Sequence, residues 1–223
     1  MTTTLNIHHF EFLLTGAVWT IVLSAMAFVG GGAVGFFVAI ARITPFKAVR
    51  IVSMAYVQLI QGTPLLVIMF IIYFGLPTLG LSVSPLVAAG VSLTVYVSAY
   101  LGEIWRGCLE SVPKAQWEAA ECLALTKPQR MFKVILPQAV RIATPPTVGF
   151  SVQIVKNTSL ASVVGFVELT RAGQLINNSI FEPFLTYLIV AALYFCLCFP
   201  LSAFSQRLER TGPRKRATTT SAA

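Results

Sequence analysis

The sequence predicts an all-α integral membrane protein with about five transmembrane helices. Three observations carry that class. Of 223 residues, 56% are hydrophobic and 11% charged, and the mean hydropathy is +0.79; a soluble domain carries about a quarter charged residues. Five apolar stretches approach or reach the roughly twenty residues needed to cross a bilayer. Lysines and arginines gather on alternate loops, the bias that marks the cytoplasmic side. The length allows about one domain.

The first expected span runs from about Val18 to Ala41 and stops at Arg42. The second covers about Ile51 to Phe74, and Gly75-Leu76-Pro77 then ends it, because glycine and proline punctuate helices. The third starts near Pro85 and reaches about Trp105. The fourth follows Pro137 and runs to about Val155, and the fifth covers about Phe184 to Phe204. No Lys or Arg precedes Arg42, so the N-terminus is expected outside. Arg42, Lys47 and Arg50 then fall inside, as do Lys114, Lys127, Arg130, Lys133 and Arg141, and Arg207 and Arg210 near the end. This predicts a short external segment over 1–14, one transmembrane domain over 15–210 with a cytoplasmic loop at 111–137, and a disordered basic cytoplasmic tail over 211–223 against anionic lipid headgroups. Without a basic n-region, the start does not read as a cleaved signal peptide.

The formal net charge is +8, but the basic residues flank apolar spans and do not interleave with aromatics, so no nucleic-acid partner is expected. Cys108, Cys122, Cys196 and Cys198 lie far from the two histidines, His8 and His9, which argues against a metal site. No GxxxxGK[ST] pattern occurs, so any use of ATP requires another chain. Gly31 and Gly35 in the first span have the small-xxx-small spacing that lets helices approach closely, and read as packing within one subunit.

Residues 118–137 form a polar island in this greasy chain. Thr126 can cap a helix that has Pro128 in its first turn, with Gln129 completing a capping box. Glu118, Ala119 and Ala120 present one charge and two methyls, a surface that another protein can approach closely. Inside the membrane, Gln61-Gly62-Thr63-Pro64 interrupts the second span. Carbonyls freed there are tolerated only against protein or a wet cavity, which makes Gln61 and Thr63 candidates to line a solute path. Glu103 and Arg106, three apart at the end of the third span, suit a structural ion pair. Asn157, Ser159 and Glu168 follow the fourth span, where amides and hydroxyls can hold a zwitterion and a carboxylate can balance a cation. Tyr96 and Ser98 on the third span are the other candidates for that path.

The stretch from Glu118 to Pro137 resembles the EAA loop of importer permeases of the ATP-binding cassette (ABC) class. Gln61 to Leu66, Ala99 to Glu103 with Arg106-Gly107, and Lys156 to Ser162 look like segments of the polar amino-acid group of that class. The likeness extends from about Thr15 to Glu209. It implies the type I ABC importer transmembrane fold in a bacterial inner membrane, with no catalysis in this chain. The coupling helix would dock on a separate ATPase that binds ATP and Mg. The resemblance assigns Glu118, Ala119, Ala120, Ala124, Thr126 and Gln129 to that contact. It further implies a second permease subunit, alike or different, and an external solute-binding protein. Imported solutes would be polar or charged amino acids, moved by alternating access. Two departures are visible: the family usually has glycine where this chain has Ala124, and its polar amino-acid group often reads Lys-Asp-Thr-Ser-Leu where this chain has Asn157. The rival reading is an ion-coupled secondary amino-acid carrier. Such carriers show intramembrane carboxylates and inverted repeats, neither of which stands out here.

Overall fold

A capping box opens the first helix. The Asn6 side chain accepts from the His9 N–H at 3.2 Å, and the His9 ring nitrogen accepts from the Asn6 N–H at 3.3 Å. This is seen in a computed structural model that describes residues 6–211. The basic-tail assignment, beyond its first residue, and the first five residues of the expected external segment lie outside that range. Among the described residues, all regular structure is helical. The helices are α1 (Ile7–Ile43), α2 (Lys47–Gly62), α3 (Leu65–Thr78), α4 (Pro85–Glu110), α5 (Lys114–Cys122), α6 (Lys127–Val164), α7 (Leu169–Ile180) and α8 (Pro183–Thr211).

Helices α1, α4 and α8 are each long and apolar enough to span a membrane. Of the other two expected spans, the second is broken where α2 and α3 meet at 101°, whereas the fourth lies unbroken within α6, which turns by 49° into α7 only beyond it. The continuous second span expected over Ile51–Phe74 is therefore replaced by two shorter helices. Pro64 lacks an N–H and forces Thr63 into extended backbone (φ −109°, ψ 130°). The Thr63 hydroxyl donates to the Leu59 carbonyl at 2.7 Å, satisfying one of the groups exposed by the break. Gly75-Leu76-Pro77 does not end α3, which runs on to Thr78. A π-helical stretch over Ile71–Gly75 changes the hydrogen-bond register just before Pro77.

Other boundaries shift outward. Residues 7–14, expected as a separate external segment, belong to α1. At about 1.5 Å per residue, its 37 residues run well beyond an about 30 Å hydrocarbon core. Helix α6 begins ten residues before Pro137 and passes through a π-helical stretch at Arg130–Ile135. It carries Pro145 and Pro146 internally and tightens to a 3-10 helix over Thr158–Val164.

Helices α1 and α4 are the most extensively packed pair, and small residues set their approach. A Cβ on Gly31 would collide with the Val97 side chain, and one on Gly35 would lie 3.0 Å from the Ser98 carbonyl oxygen. Lipid tails are as apolar as leucine, so close van der Waals fit holds such helices together. The glycine spacing thus serves packing within the subunit. Leu23, Leu65, Met69, Leu93, Val97, Ile154 and Ala161 form the main buried cluster, joining α1, α3, α4 and α6.

Candidate functional site

At one end of the molecule, α5 and the start of α6 form a helix-turn-helix. Val112, Ile135 and Ala139 are buried beneath it with Trp117 and Met131 packed alongside, and Gln138 donates to Gln116 at 3.2 Å. Helix α5 ends as a Schellman turn: the Leu125 N–H donates to the Ala120 carbonyl at 3.4 Å and the Ala124 N–H to the Glu121 carbonyl at 2.9 Å. Ala124 has φ 53°, the left-handed conformation that favours glycine. This is the position where the family usually carries glycine, and the turn forms here with alanine at a strain of about 1 kcal/mol. Ala124→Gly is expected to stabilise the hairpin by about 0.5–1 kcal/mol, read as a higher thermal midpoint of the purified protein. An unchanged or lower midpoint would show that the alanine turn is unstrained.

Thr126 starts α6, and the Gln129 side chain accepts from the Thr126 N–H at 2.9 Å, as the capping-box pattern requires. Arg130 pairs with Glu121 at 3.0 Å, clasping the two arms. Ala120 is buried, whereas Glu118, Ala119, Ala124, Thr126 and Gln129 are exposed. Among the described residues Glu118 has no ion-pair partner. The hairpin is thus folded from within and leaves one free carboxylate on its surface.

Beside it, Glu103 accepts from Arg106 Nε at 3.0 Å and from Arg42 Nη2 at 3.1 Å, and Arg106 also pairs with Glu110. The Glu103–Arg106 pair is therefore half of a four-residue network that ties the end of α1 to the end of α4. Arg42 was read as the stop of the first span and as a cytoplasmic charge, not as a partner of Glu103; its position at a helix end, facing the same side as Arg106, was the available signal.

The path candidates separate. Tyr96 packs against Tyr100 with the rings tilted and 4.5 Å apart, and Tyr100 stacks on Phe150 of α6 at 5.4 Å. Asn157 lies beside the Tyr96 hydroxyl and accepts from Gln153 at 3.1 Å. The structure therefore brings Tyr96 and Asn157 together, with Tyr100, Phe150 and Gln153, which the sequence reading missed. Tyr96 and Tyr100, and Gln153 and Asn157, are each four apart on a helix, the spacing that could have revealed a shared face. Ser159 donates to the Lys156 carbonyl at 2.7 Å and is half-buried. Gln61 is exposed beside the break, and only the residues past it, Leu65 and Met69, reach the core shared with Ile154.

Ser98 and Glu168 are turned to structural contacts. Ser98 is fully buried and shares a 2.6 Å hydrogen bond with the Tyr56 hydroxyl. Glu168 is 0% exposed and caps α7. Its oxygens accept from the Thr170 N–H at 2.8 Å, the Arg171 N–H at 2.9 Å and the Tyr194 hydroxyl at 2.7 Å. A negative group suits the positive end of a helix. Thr20 of α1 accepts from the next N–H, that of Leu169, at 3.3 Å. The deeply buried acid is thus bound into the protein frame.

Comparison with known proteins agrees with this arrangement. Residues 31–211 match the family described as the binding-protein-dependent transport system inner membrane component. The chain is 38% identical over 202 residues to the probable glutamine ABC transporter permease protein GlnM of Bacillus subtilis, covering 91% of this chain and 94% of that one. It is 37% identical to the L-cystine transport system permease protein TcyB of the same organism, over 89% of this chain and 86% of the relative. A crystal structure of an amino acid ABC transporter with histidines superposes with a TM-score of 0.89 at 30% identity, covering 94% of this chain and all of that one. The MetNI methionine ABC transporter in an inward-facing form, at 22% identity and TM-score 0.72, shares the fold. By its sequence, its broken span and its exposed hairpin, this chain belongs to the family of binding-protein-dependent inner membrane components, the permease subunits of ABC importers.

Proposed function

We propose that this permease subunit carries polar amino acids across a bacterial inner membrane, with its N-terminus outside and its C-terminus and the α5–α6 hairpin in the cytoplasm. The single observation that carries this reading is the hairpin itself. It is folded by its own caps, clasp and apolar base, and it presents the unpaired Glu118 with Ala119 to an outside partner. That partner is an ABC ATPase binding ATP and Mg, so hydrolysis belongs to a different chain. A second permease subunit completes the path, and an external solute-binding protein delivers the solute. The names of the glutamine and cystine permease relatives support an amino-acid cargo.

Closure of the ATPase dimer on ATP would draw two such hairpins together, and α6 would transmit that movement to the membrane. The Tyr96–Asn157 cluster is the best-supported solute contact: an amide and phenol hydroxyls offer both donors and acceptors to a zwitterion, against aromatic walls. An amide carries no charge, so this contact suits neutral amino acids at least as well as cationic ones.

The test is purification of the intact complex followed by uptake of an amino-acid panel into proteoliposomes holding ATP. An ABC ATPase should accompany the chain. Asn157→Leu removes hydrogen bonds worth about 1.4 kcal/mol and is expected to raise the half-saturating solute concentration about tenfold. Unchanged kinetics would move the contact elsewhere, and recovery of the chain without an ATPase would count against the whole reading.

A further inference from the structure

We propose that an apolar groove between α1, α4 and α6 is a binding site for an acyl chain of an anionic phospholipid of the cytoplasmic leaflet. The groove has a volume of about 600 Å³, within the range of dedicated small-molecule sites. Phe36, Ile40 and Ile43 of α1, Trp105 of α4, and Phe132 and Val140 of α6 wall it. None of its lining residues belongs to the Tyr96–Asn157 cluster, so it is separate from the solute contact.

Its chemistry selects hydrocarbon. The two hydroxyls on its wall are occupied: Thr144 donates to the Val140 carbonyl at 2.7 Å and Thr147 to the Ala143 carbonyl at 2.7 Å. The Trp105 indole N–H donates to the Thr147 hydroxyl at 3.0 Å. Nothing in the groove therefore asks for a polar ligand. Its size suits one leaflet. At 1.5 Å per residue, Phe36 to Ile43 covers about 10 Å of α1 and Met131 to Val148 about 26 Å of α6. Half of an about 30 Å hydrocarbon core falls between these.

Charge sets the lipid class. Ile43, Leu109 and Phe132 lie at the hairpin end of the groove, where the basic residues gather. Arg42, Arg106 and Arg130 there are each paired with glutamates. Lys47 and Lys133 are exposed and, among the described residues, form no ion pair. Lys133 is the next residue in the chain after the wall residue Phe132. An anionic phosphate at this mouth would meet free ammonium groups while its chain fills the apolar slot. The choice of leaflet rests on the orientation proposed above.

The test uses the intact complex in nanodiscs of phosphatidylethanolamine and phosphatidylglycerol, with a diazirine on the acyl chain of one lipid at a time. Adducts are mapped by peptide mass spectrometry. The exposed Phe195–Phe199 stack on α8 serves as the reference for ordinary lipid contact. Phosphatidylglycerol should label Phe36, Ile40 and Val140 about fivefold more than that reference, the preference expected of one lysine–phosphate contact. Lys133→Glu should remove the preference, and Ala143→Trp, which fills the groove, should remove the labelling. Equal labelling of groove and reference, an unchanged Ala143→Trp, or photoreaction into the groove by another polypeptide from a diazirine placed at Phe132 would each overturn the site. Amino-acid uptake is measured separately, so its loss with labelling intact would count against the transport reading alone.

Discussion

Glu118→Lys is expected to abolish ATP-driven uptake while leaving the protein in the membrane at its normal level. Glu118 is exposed on α5, and the clasp between the hairpin arms uses Glu121 and Arg130 instead, so reversing its charge should not unfold the hairpin. At a docking surface the same reversal sets like charges together or strands a partner cation. That costs about 2–5 kcal/mol, roughly 30- to 4000-fold in affinity. The measurement pairs uptake with recovery of the ATPase on the purified permease. Normal uptake and normal recovery would withdraw the docking role from this face of α5.

The second large effect is expected at Glu168, and it is one of stability. Glu168→Ala orphans the N–H groups of Thr170 and Arg171 at the start of α7, and leaves the Tyr194 hydroxyl with the Thr170 hydroxyl as its remaining partner. Each buried unsatisfied group costs about 1–3 kcal/mol, so a total of at least about 2 kcal/mol is expected. The purified protein should melt several degrees lower, and Glu168→Gln, which keeps one acceptor oxygen, should recover part of the loss. The sequence alone suggested that this carboxylate faces a cationic solute. A variant that melts normally but shows altered solute affinity would restore that role.

The contrast between these two glutamates shows what a sequence can disclose. The hairpin was legible because its determinants are local: Thr126, Pro128 and Gln129 fix a helix start by hydrogen bonds within three residues. Glycine and proline likewise marked Thr63–Pro64 as a break, though not its 101° angle, which depends on how α3 packs against the core. Glu168 was ambiguous because its fate depends on Tyr194, 26 residues away, and on Thr20 at the other end of the chain. Arg42 found Glu103 across 61 residues for the same reason. The Tyr96–Phe150 stack joins two helices, so neither helix alone could announce it. Helix ends came out too short because hydropathy ends where polarity begins, while the backbone continues until a cap or a proline stops it.

The network of Arg42, Glu103, Arg106 and Glu110 contains two cations and two anions, so it is neutral as a unit. Together with the glycine contacts between α1 and α4, it welds those helices into one strut. Displacement of the hairpin then cannot be absorbed by bending between them. On the coupling proposed above it would pass to α6, where Pro145 and Pro146 remove two rungs of the helical ladder and offer a compliant joint. Work done at the cytoplasmic surface would therefore appear as rotation of the segment bearing Phe150 and Asn157, with α1 and α4 as the fixed beam.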